Sequence, residues 1–179
     1  MIHTPPSAAL ALRQLGTIDA PRYRALRLAG LRAFPFAFRP ELEEALAQPL
    51  SWAEGRLANE GEYWFGAFDG DALVGAICLR TQAGRKIRQS ASLNALVVDP
   101  ERQRRGIGAA LVAHLIAFAR SLGFIRQLTL TVHDGNTGAE RLYEAFGFRE
   151  FGREPGAFLH DGKYYAKQHR HLSLVAPQS

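Results

Sequence analysis

Residues 62–80 read EYWFGAFDGDALVGAICLR. Two strand-like runs, Glu62–Asp69 and Ala72–Arg80, meet at Asp69-Gly70-Asp71. Glycine tolerates the positive φ that a tight reversal demands, so this stretch reads as an antiparallel hairpin. Downstream the pattern changes to alternating strand and helix. "SLNALVVD" reads as a strand that Pro100 ends. From Gly106 to Leu122 the apolar positions Ile107, Leu111, Leu115, Phe118 and Leu122 keep helical spacing, and Gly123 stands where a left-handed cap is wanted. "RQLTLTV" alternates cleanly, with Leu128, Leu130 and Val132 on one face and Thr129, Thr131 and His133 on the other. "NTGAERLYEAFGF" reads as a short helix, in which Thr137 and Glu140 have capping-box spacing. Its apolar stripe is Ala139, Leu142, Tyr143 and Phe146, and two strands near "FREFGRE" and "KYYAKQHRHLSLV" follow. A hairpin followed by alternating elements means an α/β (α+β) domain built on one mixed sheet.

Upstream, "LRQLGT" reads as a first strand, and Pro21 suits the first turn of a helix running to Ala33. Tyr23, Leu26, Leu28 and Leu31 form its buried stripe, with four arginines around it, before Pro35 stops it. Shorter helices are expected around "PELEEALAQPL" and "SWAEGRLAN". No repeat or Gly/Pro/Ser-rich linker divides residues 1–179, which are expected to form a single domain with 47% hydrophobic and 22% charged residues. No apolar run is long enough for a membrane span, and "MIHTPPSAALAL" lacks the pattern of a secretory signal. Cys78 is the single cysteine, set in an apolar run, which excludes an intramolecular disulfide and fits a cytoplasmic setting. The net charge of +5 comes almost entirely from arginine, whose planar fork suits phosphate. These arginines are dispersed and no recognition-helix or RNA-binding signature accompanies them, so no nucleic-acid partner is expected.

The densest local signal is "VVDPERQRRGIGAAL", Val97–Leu111. A strand ends, the chain turns through three arginines, and a helix opens at glycines whose missing side chains let a ligand approach the backbone. The first amides of a helix lack internal partners and carry the positive end of its dipole, so such an end binds phosphate or pyrophosphate. A P-loop would need Lys-Ser/Thr where Ala109-Ala110 stand, and a dinucleotide fingerprint would need glycine where Leu111 stands. What the turn does match is Q/R-x-x-G-x-G/A, at Gln103-Arg104-Arg105-Gly106-Ile107-Gly108. The same residues also fit a solvated arginine turn.

Taken with "LTLTV" and "NTGAERLYEAFGF" in that order, the chain resembles the GNAT superfamily of acetyl-CoA-dependent N-acetyltransferases. The last motif matches N-x-x-A-x-x-L-Y-x-x-x-G-F at every fixed position, Asn136 to Phe148. "DGKYYAKQHRHL" resembles the family's last strand pair, and "RLAGLRAFPFAF" resembles an N-terminal segment of a bacterial subgroup. The resemblance implies a mixed, mostly antiparallel central sheet of about six to seven strands flanked by helices. It implies acetyl-CoA as acetyl donor, without a metal, and a primary amine on a small molecule or protein as acceptor. Amides of Gln103, Arg104, Arg105, Gly106, Ile107 and Gly108 would bind the pyrophosphate. Backbone groups of Leu96, Val97 and Val98 would pair with the pantetheine arm, one amide polarising the thioester carbonyl. Asn136 would bond the same arm, although asparagine at a helix start is also a common cap. Tyr143 would be the general acid for the departing thiolate, although it also belongs to an apolar stripe.

An amine that is protonated at neutral pH needs a base before it can attack. Relatives that acetylate ribosomal-protein N-termini carry a glutamate where this chain has Thr131. His133 on the same strand face, and Glu41, Glu43, Glu44 and Glu62, are the remaining candidates. The closing strand has Tyr165-Ala166-Lys167 where the family often has "YYD" followed by an acid. Phe34, Phe36, Phe38 and Trp64 read either as cleft lining or as core. A non-catalytic CoA-binding or regulatory domain of the same fold is the alternative, and a homodimer stays open.

Overall fold

The expected hairpin forms with its turn at Gly70-Asp71, joining β2 (Glu62–Asp69) to β3 (Ala72–Thr81) in the computed structural model, which describes residues 10–38 and 40–175. Around it lie β1 (Ala11–Gln14), α1 (Ala20–Ala33), α2 (Leu42–Ala47) and α3 (Leu50–Leu57). Then come β4 (Ser90–Val98), α4 (Ile107–Ser121), β5 (Gln127–His133), α5 (Thr137–Ala145), β6 (Arg149–His160) and β7 (Lys163–Ser173). The strands make one seven-stranded sheet in the order β1-β2-β3-β4-β5-β7-β6, antiparallel except where β4 meets β5. Seven strands, mixed and mostly antiparallel, agree with the expected fold class.

Both faces of the sheet are covered, which is why β2 and β3 are apolar almost throughout. Phe65, Ala67, Val74, Ile77 and Leu79 point to α4 and join Leu111, Val112, Leu115 and Phe148 in one core cluster. Their strand neighbours Trp64, Phe68, Ala76 and Cys78 point the other way, to Tyr23 and Leu26 of α1 and Ala53 and Leu57 of α3. The α4 helix sits close because β3 has glycine at 75: a Cβ there would lie 2.8 Å from both Ile107 Cγ2 and Leu111 Cδ1.

Pro21 lies in the first turn of α1, as expected. The entry to α1 is held by Asp19, 1% exposed, which accepts Arg13 Nη1 and Nη2 at 2.8 Å each and the Gly16 N–H at 3.1 Å. Those bonds, Arg13's foremost, hold the Asp19 carboxyl below its ordinary pKa against the opposing effect of burial. At α5 the structure corrects the expected cap. The N-cap is Asn136, whose Oδ1 accepts the Ala139 N–H at 3.4 Å, while Glu140 reaches back to the Gly135 N–H at 3.2 Å. The helix therefore starts one residue earlier than a Thr137 cap would set it, because Gly135 at φ +90° has already turned the chain. Among the described residues no helix is long and apolar enough to cross a membrane.

Candidate active site

Strands β4 and β5 run parallel and pair only at Ser90–Gln127, Ala91–Leu128 and Ser92–Thr129. Beyond Ser92 they diverge. On its other edge β4 stays bonded to β3 as far as Val98, and β5 stays bonded to β7 along its full length. A wedge thus opens in the middle of the sheet, lined on one side by the unpaired edge of Leu93–Val98. Backbone N–H and C=O groups without a strand partner need one from water or a ligand.

Within this edge the β3–β4 register jumps from Cys78↔Asn94 to Ala76↔Val97, so Ala95 and Leu96 together oppose Ile77. This is a β-bulge, and Ala95 carries it at φ +54°. A left-handed conformation at alanine costs on the order of 1 kcal/mol, which the flanking pairs must offset. The bulge re-aims the backbone at Leu96 and Val97 beside the wedge. The Val97 side chain is buried against α1 and those of Leu96 and Val98 are half-buried, so from these three residues the main chain is what a ligand can address.

At the open end of the wedge the chain passes Asp99, whose Oδ1 accepts the Glu101 N–H at 3.0 Å, and enters the arginine turn. Arg102 is tied to Asp69 by an ion pair, and Gln103 Nε2 donates to the Val98 carbonyl at 3.2 Å. Arg104 at φ +60° and Gly106 at φ +78° swing the chain into α4. Gly106 is the N-cap and supplies no side-chain acceptor, so the first amides of α4 have no intrahelical partner and no cap. Gln103, Arg104, Arg105 and Gly106 are exposed there, whereas the Ile107 side chain is buried and only its amide faces the turn. A Cβ on Gly108 would meet Leu142 and Val98 no closer than 3.5 Å. Internal packing therefore does not demand glycine at 108; a ligand lying against the backbone would.

Tyr143 stands on α5, which is anchored to β7 by Arg170, itself 4% exposed, donating from Nη1 to Glu144 Oε1 at 3.0 Å. The Tyr143 ring is buried, edge-on to Phe148 with centroids 5.9 Å apart. Its hydroxyl makes no hydrogen bond among the described residues. Burial pushes the phenol pKa well above its ordinary value, so the group is a neutral donor throughout the physiological range.

The other candidates separate clearly. Thr131 is exposed, and His133 stacks on Phe158 of β6 with centroids 4.1 Å apart. Phe36 fits edge-on between Phe158 at 5.5 Å and Tyr165 at 4.8 Å, linking the α1–α2 connection to the β6–β7 hairpin. Trp64 is core, at 1% exposure, while Phe34 is exposed and Phe36 and Phe38 are half-buried. Glu41 and Glu44 cap α2, the Glu44 carboxylate accepting the Glu41 N–H at 3.2 Å. Glu62 is fully engaged, accepting from Arg80 Nε at 2.8 Å and Trp64 Nε1 at 3.0 Å. Among the described residues no group of three or more His, Cys, Asp or Glu is placed to hold a metal.

Residues 25–148 match the family described as Acetyltransferase (GNAT) family. The chain is 36% identical over 115 residues to mycothiol acetyltransferase of Geodermatophilus obscurus, covering 63% of this chain but 37% of that protein. It is 34% identical over 109 residues to the [Ribosomal protein bS18]-alanine N-acetyltransferase of Escherichia coli, covering 60% of this chain and 70% of that enzyme. In fold it superposes on the Salmonella typhimurium protein yncA, solved with acetyl-CoA, with a TM-score of 0.75 at 18% identity, over 96% of this chain and 97% of that one. A wedge in the sheet, an uncapped glycine-opened helix beside it and a family match spanning both make this chain a member of the GNAT family of acetyltransferases.

Proposed function

We propose that the protein transfers an acetyl group from acetyl-CoA to a primary amine by direct attack on the thioester. The observation that carries this reading is the unpaired β4 edge running straight into an uncapped helix N-terminus flanked by Arg104 and Arg105. The two together suit a ligand with an amide-bearing arm and a pyrophosphate. In this reading the donor supplies an activated acyl carbon. Amides of residues 103–108 hold the pyrophosphate, the edge at Leu96, Val97 and Val98 pairs with the pantetheine arm, and Asn136 offers its Nδ2 to that arm while Oδ1 caps α5. A β4 amide beside the bulge stabilises negative charge growing on the carbonyl oxygen. As the amine nitrogen bonds to the carbonyl carbon and the carbon–sulfur bond breaks, the Tyr143 hydroxyl gives its proton to the leaving sulfur. The phenolate then regains a proton from the ammonium-like product.

Calorimetry with acetyl-CoA tests the donor half: micromolar binding is expected, and absence of binding refutes it. Arg105→Glu should weaken that binding, more at low salt than at high salt, since the exposed charge is screened. Thiol release across a panel of amines tests the transfer half. Binding without turnover of any amine would make the protein a CoA-binding module.

A further inference from the structure

The face of the sheet under α1 and α3 holds a group of cations that the donor site does not use. Arg27 of α1 and Arg56 of α3 both stack on Trp52, their guanidinium carbons 5.2 and 5.3 Å from its ring centroid. Arg56 also lies 4.9 Å from the Trp64 ring, and Arg27 lies 6.0 Å from that of Phe38. Neither arginine is ion-paired with a carboxylate among the described residues, and the Nε of each is enclosed without a hydrogen-bond partner. The Tyr23 hydroxyl, fully enclosed beside them, lies close to Arg27 without reaching hydrogen-bond geometry. The acid of the neighbourhood, Glu62, is already bound to Arg80 and Trp64.

Donors therefore outnumber acceptors, and two like charges share one indole ring. Burial weakens Arg27's hold on its proton relative to a free arginine; Tyr23 opposes this and the charge of Arg56 adds to it. Buried polar groups are normally satisfied, and a pair of half-buried guanidinium forks with no acceptor is matched by a planar oxyanion. The position is specific as well. Phe38, Trp52 and Ala95 each pack against the core cluster that contains Val97. A Cβ added at Gly30 would meet Phe38 Cζ at 2.9 Å and Val97 Cγ2 at 2.8 Å, so Phe38 lies directly beside β4. The arginine pair thus flanks the bulge from the side of the sheet opposite α4.

We infer that Arg27 and Arg56 form an oxyanion site for the acceptor, which is therefore a small amine that also carries a carboxylate, as amino acids do, rather than a polyamine or aminoglycoside. This rests on the acetyl-transfer reading for the identity of the ligand as acceptor, but binding at the arginines can be read without turnover. Both tryptophans of the chain lie at the site, so intrinsic fluorescence reports its occupancy.

The test titrates the full-length protein, with CoA present, with L-amino acids and with the amines left when each loses its carboxylate. A fluorescence response to amino acids is expected, with affinity falling roughly tenfold to a hundredfold for the decarboxylated partner and for Arg27→Gln or Arg56→Gln. Melting temperatures within a few degrees of wild type are expected for both variants, because each loses its ring stacking but also removes a charge without a counter-ion. Equal response to both members of every pair, no response at all, or unchanged affinity in both variants overturns the site. A fall of several degrees in melting temperature in both variants would show the arginines to be structural and would also overturn it. A carboxylate-dependent response without thiol release keeps the oxyanion site and refutes acetyl transfer; release from plain amines alone does the reverse.

Discussion

Tyr143→Phe separates chemistry from packing at one oxygen atom. The ring is buried and its contact with Phe148 survives the change, while the hydroxyl that is lost makes no hydrogen bond among the described residues. Deleting a buried hydroxyl without a partner costs no bond, so stability at neutral pH should stay within about 0.5 kcal/mol of wild type or rise slightly. Turnover should behave differently. A positioned proton donor contributes roughly 100- to 10,000-fold, or about 3 to 5.5 kcal/mol of barrier, so kcat should fall in that range while acetyl-CoA affinity holds. Alkaline pH supplies an independent check. Burial holds the Tyr143 phenol above its ordinary pKa of 10.0, so above pH 10 the unfolded chain gives up a proton that the folded protein keeps. Stability is then lost as pH rises, by up to about 1.4 kcal/mol per pH unit until the folded-state pKa is passed. The phenylalanine variant lacks this liability and should gain on wild type in urea melts between pH 9 and 11. The assays are steady-state thiol release, calorimetry with acetyl-CoA and denaturant titration. A kcat within twofold of wild type, with affinity and stability unchanged, would refute the proton-donor role.

Gly108→Ala should move stability and donor affinity in opposite directions. Its added Cβ meets nothing closer than 3.5 Å among the described residues and alanine favours helix by about 0.5–1 kcal/mol, yet the methyl should cost roughly tenfold in acetyl-CoA affinity. A thermal melt beside a calorimetric titration reads both, and unchanged affinity would mean that no ligand lies against residue 108. Asp19→Asn should cost about 2 kcal/mol at pH 7 through the loss of charge-assisted bonds to Arg13. Because Asp19 titrates below its ordinary 3.8 in the fold, its contribution is complete above that value and lost as pH falls through the lower one. Urea midpoints of variant and wild type should therefore converge on acidification; a gap that widens would contradict the assignment.

How much could be read in advance depended on whether a feature was local. The hairpin at Gly70-Asp71, Pro21 at the start of α1, and Gly123 at φ +71° are written in turn chemistry that acts within a few residues. The turn from Gln103 to Gly108 was legible for the same reason. For the α5 cap the sequence offered both Thr137 and Asn136, because threonine and asparagine carry equivalent oxygens and only the turn at Gly135 decides between them. The bulge at Ala95 left no signature, since alanine does not advertise a positive φ; the β3 register imposes it. Trp64 and Phe36 look alike in sequence, yet one is core and the other bridges two distant segments, a distinction made only by tertiary packing. Nothing in the sequence singles out Arg27 and Arg56, because their shared partner, Trp52, reveals the pairing only once α1 and α3 pack side by side.

Three residue pairs are all that join β4 to β5, and they sit at one end. By strand pairing the sheet is two leaves, β1–β4 and β5–β7–β6, joined near Ser92. In the proposed function a donor bonded to the free β4 edge would act as a removable strand lying in the seam between the leaves. Donor occupancy is then expected to slow amide exchange along residues 93–98.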